Sequence, residues 1–262
     1  MVNPDQEKWG QYAINTFISR PSVFIAPGIA GDKPNEIGSG TIICTPQNNL
    51  VILTAKHLAE EARRAKCRFG YGLGRNIVNN FVAGILFHPD EVDVSLLIIK
   101  EALSPPLKDL ALSPDSVANR DDKILYGDCL ILNGFPTELT QYNEKNNIYG
   151  LGSITYWGCK LSPEKYDEKG RYLVEWKDAE QFRSNEPLEL PQPYGISGGP
   201  LWRFRKCPKS PVWSPEGIGK IIGIQSKWDG KEILLVEPVK KWGDWFRDSI
   251  KQVDHNYSYL IN

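Results

Sequence analysis

The feature that most restricts how this chain can fold is a long succession of short β-rich runs punctuated by Gly, Pro and Asn. Ser22-Val23-Phe24-Ile25, Gly40-Thr41-Ile42-Ile43-Cys44 and Asn49-Leu50-Val51-Ile52-Leu53 begin the series, and branched or aromatic residues bounded by turn formers read as strands. Further strand-like stretches cover Ile77 to Phe87, Val92 to Ile99, Lys123 to Tyr126, Cys129 to Leu132, Gly150 to Cys159, Tyr172 to Trp176, Pro200 to Arg203, Gly219 to Gln225 and Glu232 to Val236. Helical spacing is confined to three places. Residues 4 to 18 repeat Trp9, Tyr12, Ala13 and Phe17 behind an Asn3 cap and Pro4, as a helix start requires. Ala55 to Cys67 interrupts the strands, and Pro238 to Val253 sets Val239, Trp242, Trp245, Phe246, Ile250 and Val253 on one helical face. Strands in two groups, with a helix at the end, predict two β-barrels or sandwiches and exclude an alternating βαβ sheet. The Pro-containing, aperiodic stretch from about 101 to 122 is the expected crossing between the groups, and Glu138 to Asn147 reads as a polar surface loop.

With 262 residues, 41% of them hydrophobic and 24% charged, the chain has room for one large domain or two packed halves. A formal net charge of -1 without a long run of one sign gives no purchase for nucleic acid or an anionic membrane. No apolar stretch approaches the roughly 20 residues of a spanning helix, and the opening residues lack the basic start and apolar run of a signal peptide. A cytoplasmic location is the expectation. The five cysteines, Cys44, Cys67, Cys129, Cys159 and Cys207, form no C-x-x-C pair and have no histidine at ligand spacing. That argues against a zinc site or a full disulfide framework, and a free thiol in an apolar run behaves as a small core hydrophobe.

The chemistry centres on Tyr194-Gly195-Ile196-Ser197-Gly198-Gly199-Pro200. Glycines on both sides of a serine let its hydroxyl project from a tight turn while backbone N–H groups approach a reacting carbonyl oxygen. A hydroxyl alone is a poor nucleophile, so a base and a group to orient that base are needed. Three histidines are present, His57, His88 and His255. His88 precedes Pro89 in a loop-like stretch and His255 lies in a polar tail, which leaves His57. The elbow G-x-S-x-G of α/β-hydrolases also fits Gly195 to Gly199, but that fold needs an apolar strand before the serine, a helix after it, and the order Ser, Asp, His. Here Leu190-Pro191-Gln192-Pro193 precedes and Pro200 follows, so the elbow reading fails.

Gly38-Ser39-Gly40-Thr41, Leu53-Thr54-Ala55-Lys56-His57, Val92-Asp93-Val94-Ser95-Leu96-Leu97 and Gly195-Ile196-Ser197-Gly198-Gly199-Pro200 together resemble the motifs of the trypsin-like, chymotrypsin-fold serine proteases, in that family's order. The resemblance spans about residues 22 to 245 and implies an all-β fold of two six-stranded antiparallel barrels. On this reading 1–21 is a helical extension, 22–108 the first barrel, 109–122 a linker, 123–237 the second barrel, and 238–262 a helix and tail. It implies a serine endopeptidase in which Ser197 is nucleophile, His57 base and then acid, and Asp93 the orienting carboxylate. The backbone N–H groups of Gly195 and Ser197 would form the oxyanion hole, and neither a metal nor an organic cofactor is implied. The expected partner is a protein or peptide substrate, with a regulatory partner protein as a further possibility.

The same resemblance places Pro191, Gln225, Ser226, Lys227 and Trp228 around the primary specificity pocket, with Ser226 near Asp93. Relatives that cleave after basic residues hold an acid where this chain has Pro191, and many keep a glycine where it has Trp228. A small or uncharged residue is therefore the expected preference. Ile196 stands where zymogen-derived secreted relatives have Asp, and Leu58 where they have a disulfide cysteine, which fits a bacterial-type, intracellular relative. A second expectation, different in kind, is a binding or sensing module whose activity stays latent until a partner binds.

Overall fold

In the computed structural model the described residues are 4–27, 37–64, 67–71, 77–79, 82–100, 105–143, 148–181, 190–205 and 215–260. The chain opens with α1 (Pro4–Ser19) and then enters the strands β1 (Ser22–Pro27), β2 (Gly38–Cys44) and β3 (Leu50–Thr54). Helix α2 (Lys56–Arg64) follows, then β4 (Cys67–Tyr71), β5 (Ile77–Asn79), β6 (Val82–Phe87) and β7 (Ser95–Ile99). These strands form one antiparallel sheet in the order β5-β4-β1-β2-β3-β7-β6. It has seven strands rather than six. Its interior is aliphatic: all five residues of β3 and all five of β7 are buried, as expected of continuous apolar runs packed on both faces.

A helical turn, α3 (Pro105–Lys108), lies in the crossing. The second group comprises β8 (Cys129–Gly134), β9 (Thr140–Asn143), β10 (Ile148–Leu151), β11 (Ile154–Tyr166), β12 (Tyr172–Glu175), β13 (Glu180–Gln181) and β14 (Pro200–Phe204). The turn α4 (Pro215–Ile218) precedes β15 (Gly219–Trp228) and β16 (Ile233–Pro238), and the long α5 (Val239–Leu260) ends the chain. Strands β12-β16-β15-β14-β8-β11 run in sequence around a sheet that an additional β12–β11 pairing closes into a six-stranded barrel, with β13 on the outside of β11. β9 and β10 pair as a separate hairpin.

Two strand expectations are corrected. Lys123 to Tyr126 forms no strand: the Lys123 carbonyl accepts from Arg203 Nη1 at 3.0 Å and Arg205 Nη2 at 2.9 Å, and Leu125 N–H donates to Asp128 Oδ2 at 2.8 Å. Side chains have taken the backbone groups that a ladder would use. The loop expected over Glu138 to Asn147 contains β9, whose residues Thr140 to Asn143 pair with β10; residues 144–147 lie outside the described set, as does the Asn3 cap.

The two sheets share a core. β1 meets β8 through Ser22 Oγ, whose single proton is shared between Asn133 Oδ1 at 2.5 Å and Ile18 O at 2.8 Å. The buried Asn133 amide in turn donates to Ile154 O and Thr155 Oγ1, both at 3.0 Å. Phe17 of α1 packs edge-on against Trp202 of β14 at 5.4 Å. On α5 the predicted face is inward, with Trp242, Phe246, Ile250 and Val253 buried, and Asp254 at its far end accepts from Thr45 Oγ1 and from Asn49 Nδ2 at the β2–β3 turn. The C-terminal helix thereby straps the second barrel to the first sheet. No described helix is long and apolar enough to cross a membrane.

Candidate active site

Pairing of β3 with β7 positions the first half of the site. The register Thr54↔Ser95 and Leu53↔Leu96 puts the residues leaving β3 beside those entering β7, so His57, second in α2, faces Asp93, two residues before β7. Asp93 accepts from His57 twice: its Oδ1 from the backbone N–H at 2.9 Å, and its Oδ2 lies 2.8 Å from Nδ1. A carboxylate bound at both oxygens fixes the ring plane and favours the tautomer with the proton on Nδ1, in which Nε2 is the basic nitrogen. Ser95 Oγ donates to Ala55 O at 3.3 Å and steadies the segment that leads to His57. Lys56 is turned aside, its ammonium donating to His88 O at 3.0 Å and Asp90 O at 3.1 Å.

The turn carrying Ser197 is held from the first sheet. Ser39 N–H donates to Ser197 O at 2.6 Å, Ser39 Oγ donates to Gly195 O at 3.2 Å and accepts from Phe135 N–H at 2.9 Å, and Thr54 Oγ1 donates to Ser39 O at 2.7 Å. Gly198 has φ of +84°, and a Cβ there would collide with Ser39 O and Thr54 Oγ1 and lie 3.0 Å from Ala55 N. This close approach sets the residue after Ser197 on the chain two residues before His57, and only glycine allows it. Gly195 has φ of +88°, and its missing Cβ leaves room for Thr137 Oγ1 and Phe135 O, each within 2.9 Å of where that atom would sit.

The N–H groups of Ile196, Gly198 and Gly199 are occupied, by Pro193 O at 3.4 Å, Gln225 O at 2.8 Å and Ile196 O at 2.8 Å. Among the described residues the N–H groups of Gly195 and Ser197 have no such acceptor, and the Ser197 hydroxyl makes no hydrogen bond. The hydroxyl–imidazole contact that acyl transfer requires is thus not made here. In sites without substrate such contacts commonly tighten only in the complex.

The expected substrate-binding residues gather at one end of the second barrel. Trp228 stands edge-to-face with Tyr194 at 4.8 Å and 89°, and with Trp176 at 6.3 Å and 79°. Trp176 meets Tyr156 at 5.9 Å, and Tyr156 OH donates to Pro191 O at 3.0 Å. Burial drives the Tyr156 phenol pKa upward, so that hydroxyl stays a donor. Gln225 is buried beside the serine turn, its N–H bonded to Gly199 O at 2.9 Å, while Lys227 is exposed. Ser226 Oγ donates to Leu235 O at 3.1 Å, across the ladder to β16.

Sequence reasoning gave no role to Ser39, Thr54, Trp176 or Tyr156. Ser39 and Thr54 lie inside the quoted motifs, and a buried hydroxyl among glycines was the available signal. Trp176 and Tyr156 carry none in one dimension.

No protein-family model matches the chain, and no curated protein matches it in sequence. Among solved structures, the serine endoprotease from Yersinia pestis superimposes with a TM-score of 0.52 at 16% identity, over 91% of this chain and 66% of that one. The fold is chymotrypsin-like, with one closed six-stranded barrel and a second, seven-stranded sheet. An identity that low speaks for architecture alone, and the chain spans 66% of that protease's length.

Proposed function

We propose that the chain is a serine endopeptidase that hydrolyses peptide bonds through an acyl-enzyme on Ser197. The observation that carries this reading is the double clasp of Asp93 on His57, at 2.9 and 2.8 Å, next to a glycine-cradled serine turn. His57 Nε2 takes the Ser197 Oγ proton as the Oγ–carbon bond forms, and the oxyanion is received by the N–H groups of Gly195 and Ser197. The C–N bond then breaks as His57 returns the proton to the departing amine. Water attacks the ester with His57 again removing a proton, and that proton goes to Ser197 Oγ as the acid leaves. Pro191, Gln225, Ser226, Lys227 and Trp228 line the approach for the substrate side chain. A cytoplasmic setting is part of the reading, supported by the free thiols of Cys44, Cys129 and Cys159.

The test is labelling with a fluorophosphonate probe. Ser197 in the isolated protein should be labelled, His57→Ala should abolish labelling, and Ser197→Ala should abolish peptide hydrolysis with the thermal midpoint nearly unchanged. Retained turnover in Ser197→Ala would rule out the nucleophile. A second reading, a latent module awaiting a partner, is favoured by the unbonded Ser197 hydroxyl and by Trp228 resting on Tyr194; absence of labelling until a partner is added would select it.

A further inference from the structure

The register of the second barrel puts an unusual set of polar side chains on one face. Gln225 pairs with Val236 and Trp228 with Leu234, across a bulge between Gln225 and Lys227. Partners two residues apart on one strand share a face, so the bulge turns Gln225 and Trp228 the same way. On the other side of β16, Val174 pairs with Leu234, and Trp176, two residues beyond Val174, falls on that face too. This is the buried face, with Val174, Leu234 and Val236 fully enclosed.

Three neutral polar atoms on these side chains have no hydrogen-bond partner among the described residues: Trp176 Nε1, Trp228 Nε1 and Gln225 Oε1. Trp176 is 6% exposed and Gln225 1%. A buried donor or acceptor left unmatched is costly, and native chains keep few of them without a use. Two N–H donors and one amide oxygen are the complement of a group that both accepts and donates. A primary carboxamide does so in either orientation of the Gln225 amide. The three unmatched atoms carry no charge, and the nearby acid Glu138 acts from an exposed position where it accepts from Gln192 N–H at 3.1 Å, so a charged side chain would be buried unpaired, which is heavily disfavoured.

Resting on the proposed endopeptidase reading and deepening it, we infer that the specificity pocket selects a substrate side chain bearing a primary carboxamide, Asn or Gln, at the cleaved position. Its specificity-determining residues are Gln225, which the resemblance already places at the pocket, and Trp176, which it does not. Trp228 covers the entrance by resting on Tyr194, which is 61% exposed, and the entering side chain displaces its ring. The exchange is favourable because a closed Trp228 leaves its own N–H unmatched, whereas the occupied pocket satisfies it.

The experiment uses blocked peptides identical except for Gln, Asn, Met, Leu, Glu or Lys at one position. Binding to the full chain carrying Ser197→Ala is followed by tryptophan fluorescence, and kcat/KM by wild type. A site built to hydrogen-bond a group rejects the analogue lacking it by large factors, so Gln or Asn should exceed the near-isosteric Met and Leu by about 100-fold or more in kcat/KM. Binding to Ser197→Ala should keep the same order. Trp176→Phe, which removes the N–H and keeps an aromatic ring, should narrow the Gln-to-Met ratio by about tenfold, and Gln225→Leu should do likewise if Trp176→Phe folds poorly. Met or Leu binding Ser197→Ala as tightly as Gln overturns the inference, as does an unchanged ratio in both variants. Selective binding of the carboxamide without hydrolysis by wild type supports it and overturns the catalytic reading instead.

Discussion

The His57 corner and the aromatic end of the second barrel are built on opposite plans. At the corner the ionic and polar groups are matched within the chain: Asp93 serves His57 twice, Lys56 is held by two carbonyls, and Ser95 braces Ala55. At the aromatic end three buried polar atoms have no hydrogen-bond partner among the described residues. A group that must be ready before substrate arrives has its partners built in, since reorganisation at the moment of reaction raises the barrier. A group that must recognise substrate keeps its partner vacant. The largest effect should therefore come from the matched corner. Asp93→Asn keeps the volume but removes the charge and allows the wrong imidazole tautomer; kcat for peptide hydrolysis should fall about 10⁴-fold with the unfolding midpoint little changed. A loss under about tenfold would mean that the clasp is scaffolding.

Gly198 joins the two regions, lying against Ser39 O, Thr54 Oγ1 and Ala55 N with φ of +84°. Gly198→Ala forces both a strained backbone and an overpacked seam. Stability to urea should drop by about 2 kcal/mol or more, and labelling of Ser197 should fall with it. An alanine accepted without loss would show that the serine turn is not seated on the His57 segment, and the comparison would lose its hinge.

The aromatic end is tested by Trp228→Ala. Two edge-to-face contacts of about 0.5–1.5 kcal/mol each are removed, so denaturant unfolding should register a loss of about 1–3 kcal/mol. The loss expected of a core tryptophan, about 3–5 kcal/mol, would make Trp228 structural and not a cover.

How much of this was legible in one dimension follows from how local each cause is. Strands such as Leu50–Thr54 and Ser95–Ile99, and the buried face of α5, depend on apolar runs and spacing that the sequence displays. The candidate site was half legible. His57, Asp93 and Ser197 sit in short motifs, and the structure adds the Asp93–His57 bonds that no spacing reveals. Lys123 to Tyr126 was misread because Arg203, Arg205 and Asp128 take its backbone groups, and those partners are remote or outside any strand pattern. The contact of Trp176 with Trp228 was invisible. It depends on two ladder registers and a bulge, each a product of tertiary pairing.

The corner has one further support, and it sets the smallest of the expected effects. His88 is 4% exposed and lies 5.2 Å from the Trp245 ring of α5. Its carbonyl receives Lys56, and its Nδ1 accepts from Asp90 N–H at 3.2 Å. Burial lowers its pKa, and this outweighs the opposing pull of Asp90, of a backbone hydrogen bond at Lys241 and of Glu237; Lys56 acts in the same direction as burial. The folded chain therefore holds the proton less tightly than the unfolded chain does, so stability is whole above the unfolded value of about 6.5 and drains away as pH falls below it toward the folded pKa. One such group contributes at most about 1.4 kcal/mol per pH unit. Unfolding midpoints of wild type and His88→Gln between pH 8 and 5 should diverge below about 6.5, wild type falling more steeply. Parallel curves would mean that the imidazole binds its proton equally well in the folded and unfolded chain, and the corner would then be insensitive to pH from this side.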